Sequence, residues 1–162
     1  MRIVRFMDSA GEIRLGREID TLTAELLEGN LWDGVQETGE IVALHKRLAP
    51  LEPVNIFCIG LNYREHAAET GLDLPENPDI FMKPTGSMCH PGDDIKLPAC
   101  SRHGPEVDYE AELAVVIGRP ARNVPEAEAF EYVLGYTCAN DVSATKVATA
   151  WGWWPMDKRQ EF

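Results

Sequence analysis

The 162-residue chain reads as a mostly β, α+β protein, and three observations support that reading. Short apolar runs rich in β-branched residues, bounded by Gly, Pro and Asp, outnumber stretches with helical spacing. Strand and helix do not alternate regularly, which argues against a parallel βαβ sheet. The chain also begins with a hairpin pattern: Ile3–Phe6 and Glu12–Leu15 flank the turn sequence Asp8-Ser-Ala-Gly11.

The remaining elements follow in order. Asp20 is placed to cap a short helix carrying Leu22, Leu26 and Leu27, with Gly29 ending it. Pro50 and Pro53 mark a connector. Val54–Ile59 is a near-continuous apolar run, the pattern of a buried strand. Asn62 and Glu65 have N-cap and N3 spacing, so a helix is expected from there to Gly71. On it His66 and Glu69 are three apart and share a face. Asp79–Lys83 is a short strand ended by Pro84, His90–Asp94 a turn, and Ile95–Leu97 a strand against Pro98. Residues 99–106 read as a loop. Pro125 suits the first turn of a helix whose stripe is Phe130, Val133 and Leu134. Glu126, Glu128 and Glu131 form its solvated face. Gly135–Ala139 is a last strand, with Asp141 at its end.

Composition narrows the function classes. A 44% hydrophobic content supports a real core. A net charge of −12 and a pI near 4.7 argue against a nucleic-acid surface, which requires a basic patch. No apolar stretch approaches a membrane span, and the N-terminus lacks a signal-peptide pattern, so the expected location is cytoplasmic, with no membrane partner. Cys58, Cys89, Cys100 and Cys138 form no C-x-x-C pair and are expected as small buried apolar residues. His90 and His103 are expected on the surface.

The chemistry concentrates in Val107-Asp-Tyr-Glu-Ala-Glu-Leu-Ala-Val-Val-Ile-Gly118. Read as one strand, it points Glu110 and Glu112 the same way. Two anions on one face repel and are costly to bury without a counter-charge, which a hard divalent cation with oxygen ligands would supply. The bare spacing is also that of a solvated face. Asp141, in Cys138-Ala-Asn-Asp-Val-Ser143, is a third carboxylate, although Asn140-Asp141 is equally good turn chemistry. An imidazole oriented by a carboxylate, as His66 is by Glu69, can take a proton from water or from a carbon next to a carbonyl.

Five segments in one order resemble the fumarylacetoacetate hydrolase family: Ile59–Glu69, Phe81–Pro84, Pro91–Asp93, Val107–Gly118 and Gly135–Ala144. The resemblance implies a mixed β-roll that is usually dimeric, so a homodimer is expected. It implies Mg²⁺ or Mn²⁺ held by Glu110, Glu112 and Asp141, and a His66–Glu69 dyad that activates water. It implies action on 2-oxo acids or β-diketo acids, often from aromatic catabolism, by C–C hydrolysis, decarboxylation or isomerisation. A cation chelating two substrate oxygens would stabilise the enolate left when the neighbouring bond breaks. Arg64 is either a contact for a substrate carboxylate or a surface arginine. Lys83 either faces the substrate or anchors a loop. The expected organisation is a small N-terminal α/β module over 1–53, the N-terminal part of the catalytic domain over 54–144, and a divergent tail over 145–162.

That tail departs from the family pattern. The family continues with Arg, then Gln, then a Gly-Lys-Ser/Gly-Phe-Asp segment. Here the sequence runs from Thr145 through Trp151, Trp153 and Trp154 to Phe162. A frameshift or premature stop would produce this, as would a short variant that completes its fold with another chain. The β-roll is then incomplete at its C-terminus, and the chain is expected to be unstable or oligomeric alone. The competing reading of function is an inactive fragment that at most binds a divalent metal or pairs with a full-length relative.

Overall fold

A computed structural model describes residues 1–97 and 107–144. The loop expected over 99–106, Cys100, His103 and the tail from Thr145 onward, with its tryptophans, lie outside the described residues. The expected fold class holds: strands predominate, and the strand pairs among the described residues are all antiparallel.

The chain divides into two compact units. The first comprises Met1–Glu52, Cys89–Ile95 and Tyr109–Asp141. It opens with β1 (Ile3–Met7), β2 (Ile13–Glu18), β3 (Thr23–Asn30), β4 (Gly34–Ala43) and β5 (Lys46–Arg47). These form a five-stranded sheet in the order β4-β3-β2-β1-β5. The β1–β2 hairpin forms as expected. The Asp8 carboxylate accepts the N–H groups of Ala10 and Glu12, both at 2.9 Å, and Gly11 takes φ 85°. An aspartate at the start of such a turn stands in for a backbone acceptor.

The helix expected after Asp20 is instead β3. Asp20 does accept two backbone N–H groups, from Leu22 and Thr23 at 2.8 Å, but it closes a turn and not a helix end. Pairing with both β2 and β4 satisfies the β3 backbone, and it buries Ala24 and Leu27 where a lone short helix would leave them half wet. Tertiary burial outweighs local helix preference here. The core of this sheet is Val4, Phe6 and Ala24, with Val42 and Leu44 packed against it. Gly16 is the close-approach point: a Cβ there would sit 2.6 Å from the Ala24 Cβ and 3.1 Å from the Phe6 ring.

The Cys89–Ile95 segment is fastened to β5 and the residues after it. The His90 Nδ1 accepts the Ala49 N–H at 3.1 Å, and Lys46 Nζ donates to Asp93 at 2.6 Å. His90 is therefore a half-buried structural residue and not the surface histidine expected. The turn at His90–Asp93 is present, closed by Asp93 N–H to the His90 carbonyl at 3.0 Å. Ile95–Leu97 is not a strand. Cys58 is half-buried, and Cys89 and Cys138 are exposed, so these three are not the buried fillers expected.

The second unit includes Pro53–Met88, with residues 96–97, 107–108 and 142–144. Here β6 (Ile56–Gly60) pairs with β7 (Asp79–Lys83), the latter with the expected bounds. The run around β6 is not buried throughout: Phe57 and Ile59 are exposed, as are their partners Met82 and Ile80. Helix α1 (Arg64–Thr70) follows β6, and a 3₁₀ turn at Thr85–Ser87 follows Pro84.

Two predictions follow from the N-terminal sheet. Gly16→Ala overpacks the contact with Ala24 and Phe6 and is expected to cost about 1–3 kcal/mol, read by denaturant unfolding. The second concerns acid. The Arg17 guanidinium hydrogen-bonded to Glu25 holds its carboxyl below the ordinary 4.5; burial opposes this, and the Gly39 N–H adds to it. Backbone N–H groups likewise lower Asp8 and Asp20 below 3.8, chiefly those of Glu12 and Leu22 respectively. Folded values below unfolded ones contribute stability that is fully present above the unfolded values and lost as pH falls through the folded ones. Unfolding free energy should therefore be flat with respect to these groups above about pH 5 and decline below it, with a shallower decline in Glu25→Gln.

Candidate metal centre

The Val107–Gly118 run is two strands and not one: β8 (Val107–Asp108) and β9 (Ala111–Ile117). Tyr109 and Glu110 lie in the break. A 3₁₀ helix at Glu126–Tyr132 connects β9 to β10 (Val133–Asn140). Pro125 is its N-cap residue, with Pro125 fixing φ at −61°. The helix expected there is thus of the tighter kind, and its supposed stripe divides: Phe130 is exposed, whereas Val133 and Leu134 begin β10. Ser143–Ala144 form β11.

The β9–β10 register builds the site. Glu112 stands opposite Ala139, Ala114 opposite Thr137, and Val116 opposite Gly135. These small partners share one face with the glutamate. The other face carries Leu113, Val115 and Tyr136, which are 60%, 48% and 56% exposed. Asn140 pairs with Ala111 at the end of the ladder. Past that end, the Asp141 N–H donates to the Glu110 carbonyl at 2.8 Å. The Glu110 N–H donates to the Asn140 side-chain Oδ1 at 3.2 Å. In the second unit, Ser143 pairs with Asp108 and Ala144 with Val107.

Glu110, Glu112 and Asp141 consequently gather at the break. One carboxylate oxygen from each lies within 4.8 Å of the others, and all three residues are half-buried. Three anions this close repel unless a cation or protons intervene. The donor set consists only of carboxylate oxygens, so it fits a hard divalent cation of the Mg²⁺, Mn²⁺ or Ca²⁺ kind better than a soft, thiolate-seeking one.

In the second unit, His66 and Glu69 lie on α1, three residues apart. His66 is half-buried and Glu69 exposed. The expected Asn62 cap is not used: Tyr63 is the N-cap residue, in extended conformation, without a side-chain cap. The C-terminal end is as expected. Gly71 takes the left-handed conformation at φ 67°, its N–H donating to the Ala68 carbonyl and the Leu72 N–H to that of Ala67. That double bond is a Schellman motif, which needs a residue tolerant of positive φ. Ala67 is the buried residue of the helix. Arg64 is exposed. Lys83 is half-buried, its ammonium 5.5 Å from the Phe81 ring centroid, within cation–π range.

Sequence reading had not picked out the Asn140 amide or the small residue opposite Glu112. The first has a sequence signal, an Asn next to an acidic residue at a strand end. The second becomes visible only once the register is known.

Residues 55–161 match the family model of the fumarylacetoacetate (FAA) hydrolase C-terminal domain, and residues 1–54 match an Rv2993c-like N-terminal model. The chain belongs to the fumarylacetoacetate hydrolase family, a family of enzymes, and has its fold. The match takes in most of the segment after Thr145. Among relatives, the chain is 41% identical over 128 residues to a caffeoylpyruvate hydrolase of Neonothopanus nambi, covering 76% of this chain and 44% of that one. It is 47% identical over 98 residues to a mitochondrial oxaloacetate tautomerase of Xenopus laevis, covering 60% and 30%. A solved 5-carboxymethyl-2-hydroxymuconate delta-isomerase from Mycobacterium smegmatis superposes with a TM-score of 0.78 at 33% identity, covering 99% of this chain and 62% of that one. The chain thus spans less than half the length of these two curated relatives. Among the described residues, no helix is long and apolar enough to cross a membrane.

Proposed function

We propose that this chain carries the divalent-metal centre of an enzyme acting on a 2-oxo or β-diketo acid. Glu110, Glu112 and Asp141 would hold Mg²⁺ or Mn²⁺, and His66, oriented by Glu69, would serve as the base. The observation that carries the reading is the convergence of the three carboxylates, Glu110 in the strand break, Glu112 on β9 and Asp141 just past the end of β10, in a chain of this family. The bound cation would supply Lewis-acid polarisation of substrate oxygens.

The other steps belong to the chain's own side chains. His66 accepts a proton from water or from the carbon between two carbonyls. Glu69, three residues on along α1, would fix which ring nitrogen is free to do so. Arg64 and Lys83 are proposed to meet a substrate carboxylate. Ala139, Thr137 and Gly135, opposite the glutamate strand, put only small side chains on the acid-bearing face. The named relatives include a hydrolase, a tautomerase and an isomerase. All three activities are consistent with proton transfer next to a carbonyl, so that step is assigned here as the shared chemistry. C–C hydrolysis is the proposed outcome, with acylpyruvates and oxaloacetate as first substrates to assay.

Glu110→Gln is expected to abolish Mn²⁺ binding in calorimetric titration; unchanged affinity would end the metal assignment. With a turned-over substrate in hand, His66→Gln should lower kcat by roughly 10²–10⁴-fold while leaving Mn²⁺ affinity in place. Metal bound with no turnover of any 2-oxo acid would favour a binding role over catalysis.

A homodimer is also proposed. The Leu113, Val115 and Tyr136 face is broad, apolar and exposed, the kind of surface that association covers. Light scattering should give twice the chain mass at micromolar concentration, and a monodisperse monomer would contradict the proposal.

A further inference from the structure

We infer that Asn140 is a positioning residue for the metal centre, acting through the backbone of Glu110; the inference rests on the metal reading above. In a regular antiparallel pair of this type, opposed residues exchange both backbone hydrogen bonds. By register, Glu110 and Asp141 would be such a pair, two residues beyond Glu112 and Ala139. Only half of the exchange takes the ordinary form: the Asp141 N–H reaches the Glu110 carbonyl at 2.8 Å. The Glu110 N–H goes instead to the Asn140 Oδ1, at 3.2 Å. The side-chain amide thus stands in for a main-chain acceptor at the rung where two carboxylates face each other.

The substitution has a physical purpose. Tyr109 and Glu110 lie outside any strand, so the ladder does not fix the Glu110 peptide. Without the Asn140 acceptor that peptide keeps the bond from the Asp141 N–H but loses the anchor on its own N–H. Glu110 would then swing away from the other two carboxylates, as their mutual repulsion favours. Asn140 holds the anionic ligands within 4.8 Å of one another before any cation arrives. Asn140 touches neither substrate nor cation in this role. Groups that orient ligands in this way typically contribute 10–100-fold in metal affinity.

The test uses the full chain. Asn140→Leu keeps the side-chain size and removes the acceptor; Asn140→Asp keeps an acceptor. Mn²⁺ affinity is measured by titration, and exchange of the Glu110 amide by hydrogen–deuterium exchange in metal-free protein. Asn140→Leu should weaken Mn²⁺ binding about 10–100-fold and speed Glu110 amide exchange, while Asn140→Asp stays within about threefold of the parent or binds tighter. Parental affinity and parental exchange in Asn140→Leu would overturn the inference. So would an unprotected Glu110 amide in the unaltered chain, a measurement that needs no variant to fold. Glu112→Gln separates the two readings. If it binds Mn²⁺ as the parent does, the metal reading falls and this inference with it. If it binds weakly while Asn140→Leu binds normally, only the role of Asn140 falls.

Discussion

The register of β9 against β10 is the constraint on which the site depends. Side chains alternate faces along a strand, so a slip of one residue would carry Glu112 to the side that bears Leu113 and Val115. The observed pairing keeps acids on one side and bulky apolar groups on the other. It also sets Asp141 against Glu110, which neither strand could achieve alone. Two acids come from one run and the third from a segment some thirty residues on, and the hairpin brings them together. The ladder then stops at Asn140 and Ala111, so the acids sit where the backbone is no longer regular. Breaks of this kind re-aim side chains, and they recur beside active sites.

Much of this was legible in the sequence, and the reasons differ by element. The β1–β2 hairpin was visible because Asp8 and Gly11 are local signals whose partners lie within a few residues. β7 was visible because Pro84 ends it. The left-handed end of α1 was visible in Gly71. The carboxylate set was flagged by spacing for Glu110 and Glu112, and by family pattern for Asp141. Elements that depend on distant partners were not legible. The residues of β3 have helical spacing, and only pairing on both sides and the burial of Ala24 beside Gly16 and Phe6 make them a strand. Nothing local announced β4. The break at Tyr109–Glu110 was hidden inside a run that looks uniformly extended. His90 looked like a surface residue because its partner, the Ala49 N–H, is a backbone group far off in sequence.

The two faces of the β9–β10 hairpin also explain why an acidic chain is not simply a solvated one. The net charge of −12 is spread over many exposed carboxylates. The three that converge are distinguished by their mutual approach, within 4.8 Å, and by small neighbours across the β9–β10 ladder. The charged face of the 3₁₀ helix, with Glu126, Glu128 and Glu131 all exposed, shows the ordinary case a few residues away.

Helix α1 spans seven residues, just under two turns. A peptide of that length does not hold helical shape in water by itself. The imidazole of His66 therefore inherits its aim from the seat beneath Ala67 and from the left-handed glycine that locks the helix end. Its reach is as firm as that footing, and a methyl group lost or gained under Ala67 would be felt at the ring without touching it.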